Sequence, residues 1–241
     1  MVSIGLPNGS LAPTRRLPDT WRVLLAFVLG AIFGVSVRRA LYRWLCGYQI
    51  SPNCDFGMAY VQVVAAEFGP RSKIGAFTIV RNLEYLCLKE GARIGTFNWI
   101  FGMLPSSHYF IEEENRVSSL ILEPHASITS RHIVDATNTV TIGSYATVAG
   151  FRSQLLTHGI DVSTNKQRSA PISVGSYALI GTGAILLKGA QVPARSIVAA
   201  GSVFRESSSV EPGLWSGVPA IRVRGIDQTG AYFTRIEGHV G

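Results

Sequence analysis

The chain has 241 residues, 47% hydrophobic and 15% charged, which suits one large domain or a domain with an appendage and excludes intrinsic disorder. The formal net charge is +7, and eighteen of the 22 basic residues are arginine, but they form no stripe interleaved with aromatics, so no nucleic-acid partner is expected. The three cysteines, Cys46, Cys54 and Cys87, are odd in number and lack metal-ligand spacing; they read as reduced apolar filler in a reducing compartment.

In chain order, the first element is Val23 to Val37, VLLAFVLGAIFGVSV, which carries no charge. Arg22 precedes it, Arg38, Arg39 and Arg43 follow, and Trp21, Tyr42 and Trp44 sit at its edges. It is shorter than the roughly 20 apolar residues of a spanning helix, and no small-residue cleavage site follows it. Arginine and tryptophan at the ends of an apolar helix suit a lipid surface, so residues 21–44 are expected to make peripheral membrane contact. Burial against the main domain or at a subunit contact is the alternative. The turn-rich SPNCDFG at 51–57 marks a junction. The expected division is an N-terminal helical segment over 1–55, a main domain over 56–225 and a tail over 226–241.

The main domain repeats. Val174, Ile180, Leu186, Val192, Val198 and Phe204 are spaced six apart, as are Phe68, Ile74 and Val80, then Leu88, Ile94 and Ile100, then Leu122, Ile128 and Val134, and finally Ile142 and Val148. Glycine follows the aliphatic at Ile74, Ile94, Ile142, Val174 and Ile180. Small residues stand four positions on, as at Thr78, Ala92, Ala126, Ala146, Ala178, Ala184, Ser196 and Ser202. A helix needs a period near 3.6 and an amphipathic strand a period of 2. Period six fits a short strand and a corner. Three such units close a triangular coil, and stacked coils bury the aliphatic row. Glycine is expected to supply the corner backbone.

This pattern resembles the hexapeptide-repeat acyltransferases over about residues 66–225, in particular their sugar and polysaccharide O-acetyltransferase branch. The resemblance implies an all-β fold, a left-handed parallel β-helix, here with an N-terminal apolar helical segment and inserted loops. The handedness comes from the resemblance alone, since general crossover rules favour the right-handed form. The resemblance also implies a homotrimer with active sites between neighbouring subunits, acetyl-CoA as co-substrate and no metal.

Two breaks interrupt the rhythm, near 101–120 and 155–172. A solenoid ejects insertions as loops, which often form the binding surface. The second break carries His158 in LLTHGID, where the family's catalytic base stands. A hydroxyl acceptor is barely ionised at neutral pH, and a neutral imidazole can take its proton as it attacks a thioester. In HIVDATNTVTIG, residues 132–143, the spacing from Val134 to Ile142 is eight, so the coil bulges there. By the resemblance, Asp135 matches an acidic residue that holds the acceptor hydroxyl. A carboxylate near the imidazole would also favour its protonated form. Asp161, three residues past His158, is a candidate to orient the ring. His132, Asn165 and Arg168 are candidates to touch the acceptor.

The donor end resembles the family's acetyl-CoA-binding coils in IGTGAILLKGAQVPARSIVAAGSVF and SGVPAIRVRGI. Gly181, Thr182, Ala200 and Gly201 match a pantetheine groove, where small residues let backbone amides approach the ligand. Arg205 and Arg224 match positions near the cofactor and its phosphate. The chain departs from many relatives at Glu206, where they carry lysine, and at Leu179, where they carry tryptophan.

The expected function is therefore acyl-CoA-dependent O-acyl transfer, acetyl by default, to a sugar or surface-polysaccharide hydroxyl, in the cytoplasm or on the inner face of the cell membrane. The alternatives are N-acyl transfer to an amino-sugar nucleotide and a non-catalytic structural β-helix. A zinc hydratase of similar fold is a further class, but His108, His125, His132, His158 and His239 lack its paired ligand spacing.

Overall fold

Every residue of the period-six rows turns inward. Phe68, Ile74, Val80, Leu88, Ile94, Ile100, Leu122, Ile128, Val134, Ile142 and Val148 are buried, as are the six from Val174 to Phe204. The computed structural model describes residues 16–105, 108–110, 112–113, 115–206 and 211–238. Within them, strands of two to four residues alternate among three faces. The first face runs from Gln49–Ile50 to Gln191–Val192, the second from Asp55–Phe56 to Ile197–Val198, and the third from Tyr60–Gln62 to Val203–Phe204. All neighbours on these faces pair in parallel, and each row stays in register, as in Ile74↔Ile94 and Val80↔Ile100. An antiparallel hairpin, Leu214–Gly217 with Ala220–Arg224, closes the second face. Each strand is too short to be stable alone, so stability comes from coil stacking on the shared aliphatic column.

The corners correct one expectation. The glycines after the aliphatics do not supply left-handed backbone; those positions fall on other residues, mostly not glycine. His125, Tyr145, Tyr177 and Arg195 have φ of 53–61° at one corner. There the His125 and Tyr145 rings stack at 4.9 Å and the Tyr145 and Tyr177 rings at 4.8 Å. The glycines serve coil-to-coil approach instead. A Cβ on Gly175 would stand 2.3 Å from Ala194 N, and one on Gly143 2.6 Å from Ser176 N. Gly175→Ala should therefore destabilise the protein by about 1–3 kcal/mol through overpacking against rigid backbone, read as a lower denaturation midpoint.

The coil also begins earlier than residue 56. Gln49–Ile50 pairs with Ala65–Phe68, and Asp55–Phe56 with Lys73–Ile74, so the turn-rich junction is the first corner. Ile50 and Phe56 are six apart, but the inward row slips by one at Val61, which hides this coil from a period search.

Two helices close the open N-terminal end: α1, Thr20–Phe33, and α2, Val35–Cys46. The first coil has no preceding coil to take its backbone acceptors, and arginines of α2 supply donors. Arg38 donates to Phe56 O at 2.8 Å and to Gly30 O at 2.7 Å, Arg39 to Cys54 O at 3.0 Å, and Arg43 Nε to Ile50 O at 2.7 Å. Tyr42 packs on Phe56, with ring centres 4.9 Å apart, and donates to Ala59 O. The basic flank of the apolar segment thus binds protein backbone, and α2 is a cap of the solenoid. Among the described residues, no helix is long and apolar enough to cross a membrane. The chain ends with α3, Ala231–Thr234, after which Tyr177 and Tyr145 donate to Arg235 O and Ile236 O, each at 3.0 Å, tying the tail to the aromatic corner.

Candidate active site

Both insertions leave the same edge of the third face. The first follows Trp99–Phe101 and the second follows Gln154–Leu156, with Ile133–Asp135 on the coil between them. Phe101, Asp135 and Leu156 are in register across the three strands. Asp135 ends its strand at the eight-residue bulge, so its carboxylate sits inside a widened corner.

The second insertion is a regular antiparallel hairpin, not an irregular loop. His158–Asp161 pairs with Lys166–Ser169, with His158 opposite Ser169. The first insertion docks on it. Glu113 accepts from Ser169 N at 2.7 Å, and Glu112 bridges to Lys166 and, at 3.2 Å, to Arg168. The Phe110 ring meets the His158 ring edge-on at 6.0 Å, and the Arg116 guanidinium lies 4.5 Å from the centre of the Phe110 ring. Buried Arg116 also donates to Thr137 O at 2.6 Å, on the corner that follows Asp135.

At the junction, His158 Nδ1 lies 2.6 Å from Asp135 Oδ2. The carboxylate is 1% exposed and the imidazole 24%. Asp135 also accepts backbone N–H bonds from Thr137 at 3.0 Å, Thr157 at 2.9 Å and His158 at 3.1 Å. Burial pushes the carboxyl pKa up, but the bonds from His158 and Thr137 outweigh it and hold it below the ordinary value. The bond to Asp135 in turn raises the His158 pKa, against burial and the positive charges of Arg116 and Lys188. An ionised carboxylate can only accept, so Nδ1 carries the proton and Nε2 is left as the basic nitrogen of the neutral ring.

These partners correct the assigned roles. The Asp135 carboxylate is surrounded by backbone donors and the imidazole, so it orients His158 and has little capacity left for an acceptor hydroxyl. Asp161 does not orient the ring: it accepts from Ser163 N at 3.0 Å and Ser163 Oγ at 2.6 Å, bonds that pull its pKa down to about 2. His132 does not face a cleft. It is fully buried, its Nδ1 accepts from Ser153 N at 3.1 Å, and its Nε2 lies 2.8 Å from Thr129 Oγ1. Burial pushes its pKa down to about 4, so it is a neutral strut between coils. Asn165 is exposed in the hairpin turn at φ 51° and lines a cleft of about 460 Å³ with Tyr109, Phe110 and Ile160. Arg168 is held by Glu112. A larger groove, about 1070 Å³, runs over the first face past Tyr85, Cys87 and Ile121, away from Asp135 and His158.

At the donor end, Gly181 lacks a Cβ because Ala200 N of the next coil would lie 2.6 Å from it, and Thr182 Oγ1 donates to Phe151 O at 2.8 Å. Both therefore serve coil stacking. Gly201, at φ 69°, and Gly183, at φ 66°, have nothing within 4 Å of the Cβ position, so the corner they form presents open backbone. Ala200, Arg205 and Arg224 are exposed; Arg205 follows the last strand of the third face, and Arg224 ends the closing hairpin.

Phe110, Glu113 and Arg116, which also build the site, stand in no recognisable motif. The available signal was that both breaks follow strands of one face. His239 lies outside the described residues, and so does the side chain of His108. Among the described residues, no group of three or more His, Cys, Asp or Glu side chains is placed to hold a metal ion.

No protein-family model matches the chain, and no curated protein matches it in sequence. Solved structures do. The polysialic acid O-acetyltransferase OatWY is similar at a TM-score of 0.55 and 13% identity, over 78% of this chain and 92% of its own. The polySia-specific acetyltransferase NeuO has a TM-score of 0.46 at 18% identity, over 74% and 81% of the two chains. A hexapeptide-repeat acetyltransferase from Vibrio cholerae, complexed with acetyl coenzyme A, has a TM-score of 0.45 at 18% identity, over 86% of each chain. The likeness to OatWY establishes the architecture: the chain folds as a left-handed parallel β-helix.

Proposed function

We propose that the protein is an acyl-CoA-dependent O-acyltransferase, with acetyl-CoA as donor and a sugar or polysaccharide hydroxyl as acceptor. The observation that carries this reading is the buried Asp135 carboxylate 2.6 Å from His158 Nδ1, with the Phe110 ring of the first insertion against the imidazole. His158 Nε2 takes the acceptor proton as the oxygen attacks the thioester carbonyl. The tetrahedral intermediate collapses with cleavage of the C–S bond, and the imidazolium returns the proton to the leaving thiolate. Asp135 fixes the tautomer and stabilises the imidazolium. Open backbone at Gly183 and Gly201 suits a narrow pantetheine arm, with Ala200 beside it and Arg205 and Arg224 as exposed cations for phosphate. Asn165 and Arg168, on the hairpin, border the acceptor. The fold neighbour OatWY acts on polysialic acid as an O-acetyltransferase, which supports a sugar hydroxyl as acceptor.

The working unit in this reading is a cytoplasmic homotrimer with the site completed between subunits. Thiol release from acetyl-CoA should be measured against hydroxyl sugars, polysaccharides and amino-sugar nucleotides. Release dependent on a hydroxyl acceptor and abolished in His158→Ala is the expected result. Release with amino-sugar nucleotides alone would replace O-transfer by N-transfer.

A further inference from the structure

The hairpin of α1 and α2 is only half covered. Val23, Ala26 and Gly30 are buried along one side of α1. Its other side presents Trp21, Leu24, Leu25, Val28 and Ile32 to solvent, an apolar stripe at helical spacing. At the tip, every residue from Ala31 to Val37 is exposed, including Ile32 at 67% and Phe33 at 64%. Trp44, near the end of α2, is 81% exposed. A turn in water between two helices would carry polar residues; here it reads Phe33-Gly34-Val35.

We propose that this hairpin docks the protein on a lipid bilayer with anionic headgroups. Three observations select lipid over a second copy of the chain or another protein. Apart from Ser36 the tip is apolar all round, so a fluid solvent covers it where a rigid groove would cover one side. Between residues 23 and 37, Ser36 is the only side chain that could fix a hydrogen-bonded register with a protein. The surrounding charge is complementary to anionic headgroups: residues 16–54 hold five arginines, of which Arg16, Arg22 and Arg43 are exposed, and one carboxylate, Asp19. Arg39 and Arg43 bond to neutral carbonyl oxygens, which leaves their charge uncompensated. Arg22 flanks the stripe beside Trp21, with its guanidinium 5.3 Å from the ring centre and an exposed ion pair to Asp19 at 3.4 Å, a pairing suited to the headgroup level.

The contact is shallow. α1, at about 21 Å, falls short of a hydrocarbon core of about 30 Å. Arg38, Arg39 and Arg43 pin α2 to the first coil. The stripe and tip therefore enter the headgroup–acyl boundary, about 5–10 Å deep, as an amphipathic surface helix does. This docking is independent of the acyl-transfer reading.

The test is co-sedimentation of the full chain with vesicles of phosphatidylcholine alone and of phosphatidylcholine with phosphatidylserine, beside a double variant, Ile32→Asp with Phe33→Asp. Both side chains are exposed, so the variant should fold; its melting curve checks this. Quenching of tryptophan emission in the unmodified protein by acyl chains carrying bromine gives a second readout that needs no variant. The proposal expects binding that is at least tenfold tighter with phosphatidylserine, quenching on binding, and at least tenfold loss in the variant. A protein that stays in the supernatant with both vesicles overturns it. So does equal binding to both compositions, or a variant that binds vesicles normally but falls to a smaller assembly by light scattering, which would make the surface a contact between copies.

Discussion

Replacing His158 by alanine should lower kcat by about 10²–10⁴-fold, the usual share of a positioned general base, while acetyl-CoA binds with unchanged affinity. The imidazole is the histidine at the meeting of the two insertions, and its ring is fixed from one side by Asp135 and from another by Phe110. Removing it leaves the coils at Gly183 and Gly201 untouched, so binding and turnover should separate. A matching loss of donor affinity would mean that His158 holds the ligand and does not move a proton. Initial rates and a calorimetric titration on the same preparation distinguish the two.

Asp135→Asn should be nearly as damaging and differently so. The amide can donate toward Nδ1, which favours the tautomer with its proton on Nε2 and leaves no base facing the acceptor. A fall of about 10²–10⁴-fold is expected. The pH profile carries the sign. The base works when unprotonated, and Asp135 raises its pKa, so kcat/KM of the native protein should rise with pH through a value above that of an ordinary imidazole. In the variant the rising limb should move to lower pH. A limb that stays in place would show that another group holds the proton. Stability should change too. The carboxylate satisfies the N–H groups of Thr137, Thr157 and His158, and the amide keeps a single acceptor oxygen. With the amide nitrogen facing Nδ1, the N–H groups of Thr157 and His158 both lose their acceptor, and each buried donor left unpaired costs about 1–3 kcal/mol. The native pair stabilises most where the carboxylate is ionised and the imidazole protonated. That contribution fades as pH falls through the lowered Asp135 pKa, and again as pH rises through the raised His158 pKa.

The solenoid was readable because its physics is one-dimensional. One aliphatic per six residues must face a shared column, and the rows from Phe68 to Phe204 announce it without an alignment. The first coil escaped because Val61 slips the row by one residue. The corner glycines were misread because a sequence shows that a Cβ is absent but not why. Gly175 needs its absence for the next coil's backbone, whereas Gly201 faces open space. At the site, His158 and Asp135 stood out by their positions at two irregularities, a broken run and an eight-residue step. Their relation did not, since it depends on register between strands 21 residues apart in the chain, Asp135 opposite Leu156. The same holds for Glu113 and Arg116, whose partners lie in another insertion or across a coil. His132 was a candidate to touch the acceptor, and burial with two hydrogen bonds makes it structural.

The arginines of α2 carry a similar lesson. Charge next to an apolar run suggested lipid contact for all of them, but a solenoid's first coil leaves unpaired carbonyl groups, and Arg38, Arg39 and Arg43 meet them. What remains for a membrane is the outer side of α1 and the tip, a smaller and more specific surface than the whole segment.

In the proposed mechanism the C-terminal coils hold the donor while the base stands apart on the hairpin. Calorimetric titration of acetyl-CoA into the native protein and into His158→Ala tests it most directly, because it needs no knowledge of the acceptor. Saturable binding of the same affinity in both is the expected result. No binding of acetyl-CoA or of any longer acyl-CoA to the native protein would contradict it and leave a β-helix without a donor.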